Sequence, residues 1–147
     1  MIVRPKPQFT SKRGTYSVRV AYVDTDRAQV VHHSQYFRFL EVARVEFWRA
    51  NGLDYRKFED ETGLGLPVVE SKMRYRQAAR FDDLLTIETW VSEATRASIW
   101  YDARITREKE LIHESSIRLA CVSFAKGALQ KIPDLVLDAS LEKGWDV

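Results

Sequence analysis

The sequence predicts an α+β fold in which a five-stranded antiparallel sheet wraps one long central helix. Three observations lead there. Tyr16, Val18, Val20 and Tyr22 alternate with Ser17, Arg19 and Ala21, the period of a strand with one buried face. From Tyr36 to Asn51, the residues Tyr36, Leu40, Ala43 and Phe47 recur at helical spacing, and Phe37, Phe39, Val42, Val45 and Trp48 widen the apolar stripe beyond that of a lone surface helix. Downstream, four more period-two runs are separated by gaps short enough for hairpins.

In chain order, residues 1–14 are expected to form an extended leader, because Pro5 and Pro7 oppose a helix. The strand from Tyr16 follows. Val23 to Gln35 then breaks the alternation and gathers Asp24, Asp26, His32 and His33 into one polar connection. Asn51-Gly52 stops the central helix, and Leu53 to Gly65 reads as a short helix or irregular connection closed by Gly63 and Gly65. Strands are expected over Pro67 to Arg76, Leu85 to Val91, Ala97 to Ile105 and Ile117 to Cys121, with breaks at Phe81 to Leu84, Glu93 to Arg96 and Arg107 to Glu110. Each run is expected to pair with the next. Pro133 opens a last helix from about Asp134 to Glu142.

A chain of 147 residues is expected to make one domain. Its 45% hydrophobic and 30% charged content is that of an ordinary globular protein and excludes a disordered or collagen-like chain. Twenty-three basic and 21 acidic residues leave a net charge of +2, too small for long-range attraction to nucleic acid. Charged residues interrupt every apolar stretch well before the roughly 20 residues of a membrane-spanning helix. The first residues lack the apolar segment of a secretory signal. Cys121 is the single cysteine, so neither an internal disulfide nor a multi-cysteine metal site can form, which suits a cytoplasmic location.

The segment Tyr22 to Tyr36 carries the chemistry. A strand leads into an acidic turn, and the turn leads into a helix N-terminus. Unpaired backbone N–H groups and the positive end of the helix dipole can hold a carbonyl oxygen that is becoming negative. A carboxylate placed by the preceding turn can act on the same carbonyl carbon, so one acyl bond is attacked and polarised together.

The run Asp24-Thr25-Asp26, then Val30-Val31-His32-His33, then Tyr36 to Arg44, resembles the 4-hydroxybenzoyl-CoA thioesterase family of hotdog-fold proteins. It is especially similar to the Tol-Pal-associated acyl-CoA thioesterases. The resemblance continues through Met73-Arg74-Tyr75 and Ala79 to Leu84 and covers roughly residues 15 to 135. It implies hydrolysis of acyl-CoA thioesters, with Asp26 as catalytic carboxylate and His33 opening the helix and offering its backbone N–H to the thioester oxygen. It also implies a homodimer or homotetramer with sites between subunits, and coenzyme A phosphates near Arg96, Ser98 and Lys126. No metal or redox cofactor is implied, since coenzyme A is part of the substrate. The sequence departs from the family pattern at Arg27, Gln29 and Gln35, where a small residue or Pro, a Gly and an Asn are usual. A non-catalytic acyl-thioester binder and a thioesterase acting on acyl-carrier protein are the alternative readings.

Other candidates have plainer explanations. Asp24 reads as a turn or capping residue. His32 and His33, as neighbours on an extended segment, are expected on opposite faces, which disfavours a metal site. Glu41 and Glu46 are expected in helix ion pairs, with Arg38 and Arg44 each three residues from Glu41. Arg74, Arg76 and Arg80 read as a solvated strand face, Trp48, Trp90 and Trp100 as packing, and Cys121 as a buried apolar filler.

Overall fold

The computed structural model describes residues 8–147. Strand β1 (Arg13–Arg19) leads through a 3-10 turn (Tyr22–Asp24) and a loop into helix α1 (Gln35–Ala50). Then come α2 (Tyr55–Thr62), β2 (Leu64–Gly65), β3 (Val68–Tyr75), β4 (Leu84–Ala94), β5 (Ile99–Arg107), β6 (Glu110–Leu119), β7 (Cys121–Ser123), β8 (Ala128–Gln130) and α3 (Asp134–Ser140). Five strands form one antiparallel sheet in the order β1-β4-β5-β6-β3 around α1. This is the expected hotdog architecture.

Burial explains why the helix lies inside. Phe39, Leu40, Ala43, Phe47 and Trp48 are each at least nine-tenths buried, against Leu85, Ile87, Val91, Ile99, Tyr101, Ile105 and Ile117 of the inner sheet face. Fully burying such a side chain is worth about 1.5 to 3 kcal/mol. Bulges at Val91/Glu93 in β4 and Ile105/Thr106 between β5 and β6 raise the local twist and curl the sheet about the helix. Gly14 lets β1 close on α1, since a Cβ there would stand 2.7 Å from the Phe47 ring.

Several expectations need correction. Of the leader, residues 1–7 lie outside the described residues. Residues 8–12 are sewn to the C-terminal tail, with the Gln8 N–H donating to the Asp146 carbonyl (2.9 Å) and the Lys12 N–H to that of Ser140 (3.0 Å). Tyr22 is exposed rather than inward, because the chain leaves the sheet after Val20 and turns. β3 does not pair with β4. It lies at the far edge against β6, because the segment between them is held elsewhere: the Val31 N–H donates to the Ala79 carbonyl (2.8 Å) and the Val20 N–H to that of Asp83 (2.9 Å). The fourth run starts at Glu110 and ends at Leu119, while Cys121 belongs to a small second sheet, β2-β7-β8, that the period-two pattern does not reveal. Phe124 is exposed on the turn beyond β7. No helix among the described residues is long and apolar enough to cross a membrane.

Candidate active site

The chain between β1 and α1 folds as a clip. Thr25 and Val31 pair as an isolated antiparallel bridge, the Asp26 N–H donates to the Val30 carbonyl (3.0 Å), and the Gln29 N–H donates to the Asp26 carbonyl (2.9 Å). Closing so short a hairpin puts Gln29 at φ 66°, the left-handed region where glycine has no Cβ penalty. The departure from the family's glycine therefore falls on the residue where glycine fits best, and the loop nonetheless closes.

Asp24 anchors the clip from within. Its carboxylate is 1% exposed, accepts the Ala21 N–H (2.8 Å) and forms an ion pair with Arg38, while its carbonyl accepts the His32 N–H (2.9 Å). The turn-capping reading of Asp24 thus agrees with its contacts. Asp26 is half-buried at the clip's edge. Its Oδ1 accepts the Ala28 N–H (2.8 Å), which fixes the side chain and leaves Oδ2 without a partner among the described residues.

Asp26 and His33 line one cleft of about 450 Å³ together with Val30, Val31, Tyr36 and Tyr75. The His33 N–H has no acceptor among the described residues, whereas its carbonyl accepts the Tyr75 hydroxyl (3.3 Å). His33 does not open the helix as expected: α1 begins at Gln35 with Ser34 as its cap, because the chain is still turning at His33, and the edge strand β3 holds this approach through Tyr75. His32 and His33 do not point apart as expected. Their rings lie side by side, centroids 4.1 Å apart, because both sit in a turn rather than on a strand. His32 Nδ1 shares a 2.7 Å hydrogen bond with the Ser34 hydroxyl.

The wall behind the cleft was not legible as a site. Tyr36 stacks face to face on His113, and Tyr75 meets both rings edge-on. Burial, then the neighbouring Tyr75, pushes the Tyr36 hydroxyl up to about 12, so it stays neutral. His113 is fully buried, and neither ring nitrogen has a hydrogen-bond partner among the described residues. Burial lowers its pKa to about 4, so the imidazole is neutral. The available signal was strand phase, since His113 stands in register with Ile117 and Leu119 through the small Ser115.

Of the remaining candidates Arg76 lines this cleft, and the others lie apart from it. The Arg96 guanidinium donates to Asp134 (2.6 Å) and to the Ile132 carbonyl (3.1 Å), Ser98 closes the β4–β5 turn against Thr95, and Lys126 sits exposed on the β7–β8 turn. Trp48 donates to the Tyr101 hydroxyl (2.9 Å) in the core, and Trp100 lies under the cations of Lys72 and Arg118. Arg76 pairs with Glu114, and Glu46 with Arg49. The ion pairs expected for Glu41 are absent among the described residues: Arg38 reaches back to the buried Asp24 instead, and Arg44 has no carboxylate within 4 Å.

A helix enclosed by a curled antiparallel sheet, with Asp26 and His33 lining one cleft on the segment that leads into the helix, defines a hotdog protein. The chain belongs to the Thioesterase-like superfamily, whose profile matches residues 20–140. It is similar to an acyl-CoA thioesterase, YbgC, of Haemophilus influenzae, at 36% identity over 76% of this chain and 82% of that one. Among solved structures it is similar to the hypothetical protein TT1821 from Thermus thermophilus (31% identity, TM-score 0.79, 86% of this chain and 96% of that one). It also resembles a 4-hydroxybenzoyl CoA thioesterase mutant complexed with 4-hydroxybenzoyl CoA (25% identity, TM-score 0.79, 87% of this chain and 99% of that one).

Proposed function

We propose that this protein hydrolyses acyl-CoA thioesters to the free acid and coenzyme A, with Asp26 as the carboxylate and the His33 N–H as an oxyanion donor. The observation that carries the reading is the shared cleft. Asp26, with one carboxylate oxygen held by Ala28 and the other open, lines the same cleft as His33, whose N–H has no acceptor among the described residues and lies just ahead of α1. The carboxylate attacks the thioester carbonyl or takes a proton from an attacking water. The N–H stabilises the negative oxygen, a contribution on the order of 3 kcal/mol per donor. The acyl group lies against Val30, Val31, Tyr36 and Tyr75. The reaction needs no metal or redox cofactor. Subunits pair along the open edge of β3, where Val68, Val69 and Tyr75 are about half exposed, and a partner completes the cleft. Lys126 is the freest of the three candidate phosphate contacts, since Arg96 must first exchange Asp134 for phosphate.

Thiol release from a panel of acyl-CoA esters tests this. Asp26→Asn is expected to lower turnover by about a hundredfold or more with the melting temperature unchanged, and a chelator is expected to leave the rate of the unaltered protein intact. Full turnover in Asp26→Asn overturns the assignment.

A further inference from the structure

Asp26 lines the cleft described above and also a second one, of about 650 Å³, and no other residue among those described lines both. The second cleft is walled by Tyr22, Arg27, Gln29, Arg80 and Phe81, from the turn, the clip and the connection that leads into β4. None of these belongs to the β3 edge, so pairing along that edge does not use them. The two clefts differ in charge. Arg76, in the first, is paired with Glu114, whereas neither Arg27 nor Arg80 has a carboxylate within 4 Å among the described residues. Asp83, close to Arg80 in the chain, is held instead by Arg107 and by the Arg80 N–H. Tyr22 and Phe81 meet edge to face at 5.6 Å and are 78% and 55% exposed. Gln29 keeps an exposed side chain at a left-handed φ, a conformation that costs energy and marks a place where the side chain has a use.

We propose that this second cleft receives the thiol side of the ester, the pantetheine arm of coenzyme A, with Gln29 bonded to its amides and Arg27 and Arg80 to its diphosphate. A thioester carbonyl carries two arms, and a carboxylate that acts on its carbon has one on either side. Asp26 is the residue that meets both clefts. The apolar acyl arm takes the side of Val30, Val31, Tyr36 and Tyr75. The thiol arm, a chain of amides and methylenes that ends in phosphates, takes the side with free cations and exposed rings. A guanidinium fork matches phosphate oxygens, and the Gln29 amide offers both a donor and an acceptor to the amides of the arm. Glycine at position 29 would relax the loop but hold nothing. The 3′-phosphate is left to the contacts considered above. The inference rests on the hydrolase reading for the identity of the ester, and it is tested by binding, without turnover.

The experiment is a calorimetric titration of the full chain with free coenzyme A and with pantetheine, which lacks the phosphates. Coenzyme A is expected to bind about tenfold or more tighter than pantetheine. Arg27→Ala combined with Arg80→Ala is expected to cost coenzyme A about tenfold or more and to bring the two ligands within about threefold of each other, while Arg27→Lys with Arg80→Lys restores part of the gap. Both side chains are exposed, so the fold is expected to be retained. Gln29→Gly is expected to weaken pantetheine by about threefold or more although it raises the melting temperature, a combination that a purely structural role does not give. An unchanged ratio of the two affinities in the double alanine variant, or full pantetheine affinity in Gln29→Gly, overturns the proposal. Thiol release from acyl-CoA, run beside the titrations, tells the two readings apart. Coenzyme A affinity that depends on Arg27 and Arg80 without any hydrolysis keeps the cleft and removes the hydrolase reading, whereas hydrolysis with an unchanged ratio removes the cleft.

Discussion

Tyr36 and His113 stack face to face, ring centroids 4.4 Å apart and planes within 6°, so the wall of the Asp26 cleft rests on a buried imidazole that must stay neutral. The unfolded chain takes up a proton at this histidine near pH 6.5, while the folded protein resists protonation down to about 4. The unfolded state therefore binds more protons across that window. Stability is expected to be complete above about pH 6.5 and to fall toward pH 4 by at most about 1.4 kcal/mol per unit. Urea midpoints across the window check this, and His113→Phe is expected to flatten the slope.

Asp24→Asn keeps the shape of the clip's anchor but removes the charge that Arg38 meets in a buried setting. The expected cost is about 1 to 3 kcal/mol, read as a lower urea midpoint with an unchanged m-value. Turnover is expected to fall as well, since the same carboxylate holds the strand-side end of the loop that carries Asp26.

Gln29→Gly removes a Cβ from a left-handed residue. Relief of that strain outweighs glycine's larger chain entropy, so the melting temperature is expected to rise, corresponding to about 0.5 to 1 kcal/mol.

Arg96 and Lys126 are expected to separate on substitution. Lys126→Ala, at an exposed turn, raises KM for acyl-CoA with little change in kcat or melting temperature. Arg96→Ala lowers the melting temperature, because it unties the β4–β5 turn from Asp134 and the Ile132 carbonyl. A KM that is unchanged in Lys126→Ala removes that residue from the phosphate site.

Alternation and helical spacing made the central helix and the existence of five sheet strands readable, because each buries one face and repeats its period, while Pro133 alone marked the start of α3. Strand order was not readable. Period says which face of β3 is buried but not which neighbour it meets, and that depended on where Ala79 and Asp83 spend their backbone bonds. The short β2, β7 and β8 are too brief to show a period. Within the site, Asp26 and His33 were named from the resemblance, and they line one cleft. His113 was hidden because Ser115 and Ser116 blur the apolar alternation that precedes Ile117. The pairing of Arg38 was misjudged because sequence spacing favours a neighbour on the same helix, while desolvation favours the buried Asp24.

The sheet order has a consequence for the chain as it is made. β1 and β3 occupy opposite edges and share no bond, and their partners β4 and β6 come later in the chain. While the ribosome works toward Leu119 at roughly 5 to 20 residues per second, Phe39, Leu40 and Trp48 wait for several seconds without the surface that later encloses them. Both outer strands are thus made well before the partners that fix them, and a nascent chain halted before β6 is expected to remain open to protease and to recruit holding chaperones through its own helix.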